Sequence, residues 1–195
     1  MCCAGVADAA GTSWTTTRVG ASDFERIKQL IQDENDREYD ENDISDVRCM
    51  IEFTDVIEYN GRIYKSRPYE LKKNVKKTCN SVCFVDWGDR DDMKHATVAV
   101  LNGFYKVQMS DDDVFHFAKI RTCLERKCQY TGCRRIDIKR SPSEAALAGE
   151  IIQISQIHAG VSPVLLPEVT VIPMQRGQFD MSFSKNMYVV CPVYT

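Results

Sequence analysis

The sequence has no surplus of positive charge and no apolar stretch long enough to cross a bilayer. Its 195 residues contain 25 lysines and arginines against 28 aspartates and glutamates, so the formal net charge is −3. A protein that binds a phosphate backbone as its main ligand neutralises it with many basic side chains, and we therefore expect contact with RNA only indirectly, through a partner. A helix needs about 20 apolar residues to cross a bilayer, so we expect no membrane partner.

The first residues, MCCAGVADAAG, contain neither the basic segment nor the apolar segment of a secretory signal. The nine cysteines are an odd number at irregular spacing, and a chain of this length forms a core without disulfide cross-links. We therefore expect reduced thiols in a cytoplasmic protein, without a metal or another cofactor.

Apolar and charged residues divide the chain into four segments. We expect a flexible lead-in at 1–20, a helix with an acidic loop at 21–46, a core of short strands at 47–110 and a mixed remainder at 111–195. The acidic loop contains the run DENDREYDENDISD, which is typical of a solvated segment.

Two helices are expected from their caps and their apolar spacing. In the first helix Ser22 is the expected cap, and Glu25 three residues later completes a capping box. Four apolar residues recur at helical spacing and are expected to form its buried face: Phe24, Ile27, Leu30 and Ile31. The second helix is short, from Ser143 to Ala148, and follows a serine and proline start signal.

Between the two helices, short β-type runs are separated by turn residues. VRCMIEF and RIYKS flank a loop that ends in Asn60-Gly61, which is a strong signal for a hairpin turn. SVCFVDW is expected as a third strand that stops at Gly88, and ATVAVL and FYKVQM as two further strands. A sheet of so few short strands has to curl to enclose a core, which indicates a small barrel.

The run SVCFVDWGDRDDM resembles the strand-turn-strand hallmark of Tudor domains, in which a hydrophobic pair precedes F-V-D-Y-G-N. Upstream, CMIEF and GRIYKSRPYEL are similar to the C-x-A-x-F and D-G-x-W-Y-R-A-x-V strands of that family, in the same order. Downstream, AKIRTCL resembles the Q-A-I-x-C-x-L strand of the extended Tudor fold. The resemblance implies an α+β, mainly β fold, in which a bent Tudor barrel at 47–110 is coupled to an OB-like, nuclease-like barrel with one or two helices.

The resemblance also implies a pocket for methylated arginine in an arginine-rich peptide. A dimethylated guanidinium keeps its charge but has fewer N–H donors, so the faces of aromatic rings bind it better than a carboxylate does. Carried over residue by residue, the aromatic cage consists of Phe53, Tyr64, Phe84, Trp87 and Asp89. The implied partner is the tail of an Argonaute-class protein in an RNA-silencing assembly such as the piRNA pathway, located in the cytoplasm or in perinuclear germ granules.

Three departures from the family pattern affect this expectation. The loop between Phe53 and Tyr64 is longer than usual, so Tyr59 is a possible substitute for Phe53. Trp87 stands where tyrosine is commonest and offers a larger ring face. Asp89 replaces an asparagine and adds a negative charge, which attracts any cation. We therefore expect relaxed selectivity that extends to unmethylated arginine.

Three alternatives remain open at this point. The first is an interaction scaffold with an incomplete cage, whose flat sheet faces bind a folded partner. The second is a nuclease-related or RNA-binding protein, but the acidic residues of the tail form no evident catalytic constellation, so we expect no enzyme. The third is a zinc site from residues whose spacing does not match compact zinc knuckles: His116, Cys123, Cys128 and Cys133.

Overall fold

Antiparallel strands make up most of the structure. The computed structural model describes residues 6–7, 13–34, 50–73, 80–88, 96–109, 113–127, 133–138, 149–158, 161–173 and 179–194. The helices are α1 (Ala21–Glu34) and α2 (Arg67–Lys72), with a 3₁₀ turn at Ile154–Gln156. The strands are β1 (Val6–Ala7), β2 (Thr15–Thr16), β3 (Glu52–Thr54), β4 (Val56–Tyr59), β5 (Arg62–Lys65), β6 (Val82–Val85), β7 (Thr97–Gln108), β8 (Val114–Thr122), β9 (Leu124–Lys127), β10 (Arg134–Asp137), β11 (Glu150–Gln153), β12 (Val161–Pro173) and β13 (Phe179–Tyr194). This confirms the expectation of a mainly β protein.

Three clusters of buried side chains form the interior of the described residues. The helix cluster lies beneath α1 and is centred on Phe24, Ile31, Ile51, Tyr105 and Phe117. The hairpin cluster lies beneath β4 and β5 and is centred on Ile57, Tyr59, Tyr64, Leu101 and Phe104. The C-terminal cluster lies beneath β10, β12 and β13 and is centred on Val82, Phe84, Val98, Ile136 and Val190. The three clusters decide which aromatic rings can meet.

The helix α1 confirms the first expected helix, although it starts differently. Its four expected apolar residues are all buried, because their spacing places them on one face. The Phe24 N–H donates to the Gly20 carbonyl at 2.9 Å. The residue whose carbonyl accepts the first helical bond is the cap, so Gly20 takes this role. The expected Ser22 capping box is therefore wrong.

The Asn60-Gly61 turn forms as expected, but a different strand precedes it. Asn60 and Gly61 have φ angles of 50° and 74°, as the common two-residue hairpin turn requires. The residues before it form β4 and pair with β5, whereas β3 pairs with β7. The expected loop between VRCMIEF and Asn60 is thus a strand, because a tight turn continues directly into its flanking strands.

The runs ATVAVL and FYKVQM form one strand, β7, rather than two. A register shift between Leu101 and Gly103 bends it. The first half of β7 pairs with β6 and the second half with β3, while β8 pairs with both halves. Because β7 is hydrogen-bonded to a strand on each side, it stays extended past Gly103, where the sequence alone suggests a turn.

The helix α2 was expected to be part of a strand. The Ser66 hydroxyl accepts the N–H of Tyr69 at 3.1 Å, and a proline stands in the first turn. The Glu70 carboxylate is buried and accepts the N–H of Asn80 at 2.8 Å and the hydroxyl of Ser81 at 2.5 Å. These bonds attach α2 to the start of β6. A capping serine with a proline in the first turn, here Ser66 and Pro68, is a helix-start signal. The resemblance to a Tudor strand favours the opposite prediction for these residues.

The C-terminal residues form a four-stranded sheet in the order β12-β13-β10-β9. The runs FDMSFS and MYVVCPV belong to one strand, β13, which forms a long hairpin with β12. One face of this sheet packs on the C-terminal cluster through Val161, Leu165, Tyr188 and Val190. The opposite face exposes Val164 and Leu166.

The described part of the lead-in contributes to the sheets. Strand β1 pairs with β4 and β2 pairs with β3, and Val19 is buried in the helix cluster. These residues therefore contribute two short strands and one core side chain to the described fold. Residues 35–49, which include most of the acidic loop, and the expected helix at 143–148 lie outside the described residues.

Candidate functional site

Tyr64 lies in the hairpin cluster with an arginine from its own strand above its ring. Its side chain has no exposed surface. Arg62 is two residues earlier in β5 and therefore on the same face of the strand. The Cζ atom of Arg62 lies 4.8 Å from the Tyr64 ring centroid, within the range of a cation–π contact. The Nη1 atom of Arg62 also donates to the Val161 carbonyl at 3.4 Å.

Burial leaves the Tyr64 hydroxyl in an unfavourable position. It has no hydrogen-bond partner among the described residues, and a buried hydroxyl without a partner destabilises the fold. Burial raises the pKa of Tyr64, while the positive charge of Arg62 opposes this rise. The phenol is therefore neutral at neutral pH and presents an aromatic face, rather than an anion, to the guanidinium.

Tyr59 and Trp87 join Tyr64 in the hairpin cluster. Tyr59 is 7% exposed and stands directly opposite Arg62 in the β4–β5 register. Trp87 packs against the same cluster and is only half-buried. Its Nε1 donates to the Thr97 hydroxyl at 3.1 Å. Three of the aromatic residues named from the sequence therefore belong to one cluster, together with one internal guanidinium.

Asp86 organises the turn that positions Trp87. Its carboxylate accepts the N–H of Gly88 at 2.8 Å and lies 3.8 Å from the Nε2 atom of His158. Its own N–H donates to the Gln156 carbonyl at 2.9 Å. Gly88 has a φ of 77°, which a residue with a side chain rarely adopts. This turn explains why Trp87 lies at the rim of the cluster.

Phe84 does not join the other rings. Successive side chains of a strand point to opposite faces, so Cys83 and Val85 enter the hairpin cluster while Phe84 enters the C-terminal cluster. Phe84 is 1% exposed, and the Cζ atom of Arg134 lies 5.5 Å from its ring centroid. A cage that includes both Tyr64 and Phe84 is therefore not formed.

Phe53 is also separate. It packs against the helix cluster, and its ring centroid lies 5.5 Å from that of Tyr105. A Cβ atom at Gly103 would lie 2.2 Å from Cε2 of Phe53, so only glycine lets the ring lie over this strand. The structure thus brings Tyr59, the possible substitute, into the cluster of Tyr64 and leaves Phe53 outside it.

The remaining expected site residues lie apart from one another where the structure describes them. Asp89 and Cys128 lie outside the described residues. Cys123 is buried in the C-terminal cluster, Cys133 is exposed, and His116 lies against Trp14 with ring centroids 6.0 Å apart. Within the described ranges no three His, Cys, Asp or Glu side chains come together in a way that could hold a metal ion.

Sequence reasoning missed two groups in this arrangement: the Arg62 side chain and the Val161 carbonyl. The alternation in β5 carries a signal for the first, since it places Arg62 and Tyr64 on one face. Nothing local points to the second, because Arg62 and Val161 are 99 residues apart in sequence.

Among the described residues, no helix is both long and apolar enough to pass through a membrane. The comparisons with known proteins leave the resemblance without independent support. No family model, no curated protein and no solved structure matches this chain.

Proposed function

We propose that this chain is a protein-interaction module that binds an arginine-containing segment of a partner at Tyr59, Tyr64 and Trp87. The observation that supports it most directly is the Arg62 guanidinium, 4.8 Å from the Tyr64 ring centroid and opposite Tyr59 in the hairpin. A cluster that accepts an internal guanidinium has the chemistry to accept one from another chain. The proposed role is binding rather than catalysis.

The resemblance to the extended Tudor family supplies the narrower part of the proposal. By that resemblance, the segment is the arginine-rich tail of an Argonaute-class protein, methylated or not, and the setting is a cytoplasmic RNA-silencing or germ-granule assembly. The fold is then a bent Tudor barrel coupled to an OB-like barrel. The bend of β7 between Leu101 and Gly103, with β6 paired before it and β3 after it, supports a curled sheet.

Calorimetric titration with one arginine-rich peptide, unmethylated and symmetrically dimethylated, tests the proposal. Trp87→Leu removes the half-exposed ring, and we expect it to weaken binding at least about tenfold, or roughly 1.4 kcal/mol. Phe53→Leu is the matched control, because that ring lies in another cluster. Equal binding by wild type and Trp87→Leu would contradict the proposed site.

The same titration tests the expected relaxed selectivity. Ring faces attract both forms of arginine, and each form keeps at least one N–H per terminal nitrogen. We expect the two affinities to differ by less than about a hundredfold, roughly 2.7 kcal/mol. A larger preference for the dimethylated peptide would show a selective reader instead.

A second candidate function is a scaffold with an incomplete cage that binds a folded partner. Val164 and Leu166 on the outer face of β12 are 40% and 51% exposed. On the same face, the half-buried Cys191 and Val189 of β13 stand opposite Val164 and Leu166. Arg135 of β10 stands opposite Val189, and Arg126 of β9 stands opposite Arg135. An apolar patch beside directly opposed arginines complements a partner surface with an apolar centre and an acidic rim.

Two variants separate the candidates. Tagged wild type, Trp87→Leu and Leu166→Lys chains are purified from cells, and the bound proteins are identified by mass spectrometry and tested again with purified components. A folded partner with an acidic surface that Trp87→Leu retains and Leu166→Lys loses supports the scaffold. An arginine-rich partner with the opposite dependence supports the arginine-binding module.

A further inference from the structure

We infer that Arg62 is an internal occupant of the arginine site, and that an arginine of the partner replaces it on binding. The site consists of the Tyr64 ring face and the Val161 carbonyl, and its ligand class is an alkylguanidinium. This inference rests on the proposed function, since it states how the same cluster changes from its internal to its external ligand.

Arg62 covers the ring of Tyr64. It lies on the same face of β5 as Tyr64 and directly opposite Tyr59 in the hairpin register, and its Cζ atom is 4.8 Å from the Tyr64 ring centroid. Tyr64 has no exposed surface with Arg62 in place. A ligand therefore cannot reach the Tyr64 ring face while Arg62 covers it.

Arg62 contacts only neutral groups among the described residues. It donates a hydrogen bond to the Val161 carbonyl at 3.4 Å and lies against the Tyr64 side chain, and no carboxylate of those residues pairs with it. Arg134, above Phe84, differs in this respect. Its Nε and Nη2 bond the two carboxylate oxygens of Glu125 at 2.8 and 2.6 Å. Charge-assisted bidentate pairs are the stronger kind, so Arg134 is fixed and Arg62 is exchangeable.

The two contacts of Arg62 define the chemistry of the ligand. Arg62 places a flat cation against a ring and one N–H on a carbonyl oxygen. Arginine and symmetrically dimethylated arginine satisfy both requirements, because each keeps an N–H on its terminal nitrogens. A lysine ammonium is a compact point charge without a flat face, so we expect the site to distinguish guanidinium from ammonium ligands.

The experiment uses Arg62→Ala and a small-molecule substitute for the missing group. Ethylguanidinium has the atoms that the substitution removes, and ethylammonium is the matched control. We expect millimolar ethylguanidinium to raise the melting temperature of Arg62→Ala and to shift the Tyr64 ring signals in NMR spectra, while ethylammonium does neither. Wild type, in which Arg62 competes for the site, and Arg134→Ala, whose cavity lies beside Phe84 and Glu125, are controls in which the Tyr64 ring signals should shift much less. Arg62→Gln is the second variant if Arg62→Ala does not fold.

A second arm measures the arginine-rich peptide. When an internal group covers a site, the apparent affinity falls by the fraction of time for which the site is open, so we expect Arg62→Ala to bind the peptide at least about fivefold more tightly than wild type. Equal or weaker binding by Arg62→Ala would overturn the inference, although wild-type binding would leave the proposed function standing. If ethylguanidinium acts but neither protein binds the peptide, both the displacement and the proposed function are rejected, and Arg62 is a structural residue only.

Discussion

Two guanidinium–ring pairs among the described residues are similar in geometry and differ in the other bonds that hold the arginine. Arg62 lies 4.8 Å from the Tyr64 ring centroid and Arg134 lies 5.5 Å from that of Phe84. Arg134 is held by both oxygens of Glu125 and donates to the Ala96 carbonyl, whereas Arg62 contacts neutral groups, the Val161 carbonyl and the Tyr64 side chain. The ring contact alone therefore does not distinguish a structural pair from an exchangeable one, but the other bonds of the arginine do.

The largest expected effect concerns the fixed pair. Phe84→Ala removes a ring that is 1% exposed in the C-terminal cluster, and we expect the free energy of unfolding to fall by about 3–5 kcal/mol. Urea denaturation measures this loss. Arg62→Ala is the comparison, with an expected loss below about 2 kcal/mol because only a partly exposed cation–π contact disappears. Equal losses would contradict the distinction between the two pairs.

Stability at alkaline pH tests the burial of Tyr64 and of two other ionisable side chains. Burial raises the pKa of Tyr64 above 10.0 and the pKa values of Tyr105 and Cys83 to about 12. The unfolded chain loses these protons first, beginning with Cys83, whose ordinary pKa is 9.0. The free energy of unfolding is therefore unchanged below about pH 8 and falls from there to about pH 12, by about 1.4 kcal/mol per pH unit for each group that is ionised in the unfolded chain and protonated in the folded one.

Urea denaturation between pH 8 and 11 checks this dependence. Tyr64→Phe removes one of the three groups, and we expect a shallower fall in stability than in wild type. Phe84→Leu leaves all three groups in place and is expected to keep the wild-type slope. An unchanged slope in Tyr64→Phe would contradict the burial of this phenol.

A smaller effect is expected when Arg134 loses its carboxylate. Glu125→Gln keeps the shape of the side chain but removes its charge from two hydrogen bonds of Arg134 and from one of the Val98 N–H. We expect a loss of about 1–2 kcal/mol in urea denaturation at low salt. Glu150→Gln, at an exposed position, is the matched control and should change stability by less than about 0.5 kcal/mol.

The smallest effect has the opposite sign. Tyr64→Phe at neutral pH removes a buried hydroxyl that has no hydrogen-bond partner among the described residues. Because the ring and its packing remain, we expect the free energy of unfolding to stay equal or to rise by up to about 1 kcal/mol. A clear fall in thermal or urea stability would show that this hydroxyl has a favourable interaction in solution.

Much of the local structure follows from the sequence. The spacing of Phe24, Ile27 and Ile31 predicts α1, Asn60-Gly61 predicts the hairpin turn, and the apolar run Val82–Val85 predicts β6. The aromatic site is only partly predictable. Tyr59, Tyr64 and Trp87 are expected site residues and share the hairpin cluster. The resemblance to the family hallmark also places Phe53 and Phe84 in the cage, but in the structure these two rings lie in other clusters.

The positions of α1, the tight turn and most strands follow from local patterns in the sequence, because helical spacing, turn conformation and the alternation of side chains act over a few residues. The packing of the sheets against one another is what buries β6 on both faces, with Phe84 on one side and Cys83 and Val85 on the other. It also brought Val161 to Arg62 across 99 residues. Such contacts depend on which sheets pack together, and short-range patterns carry no information about that.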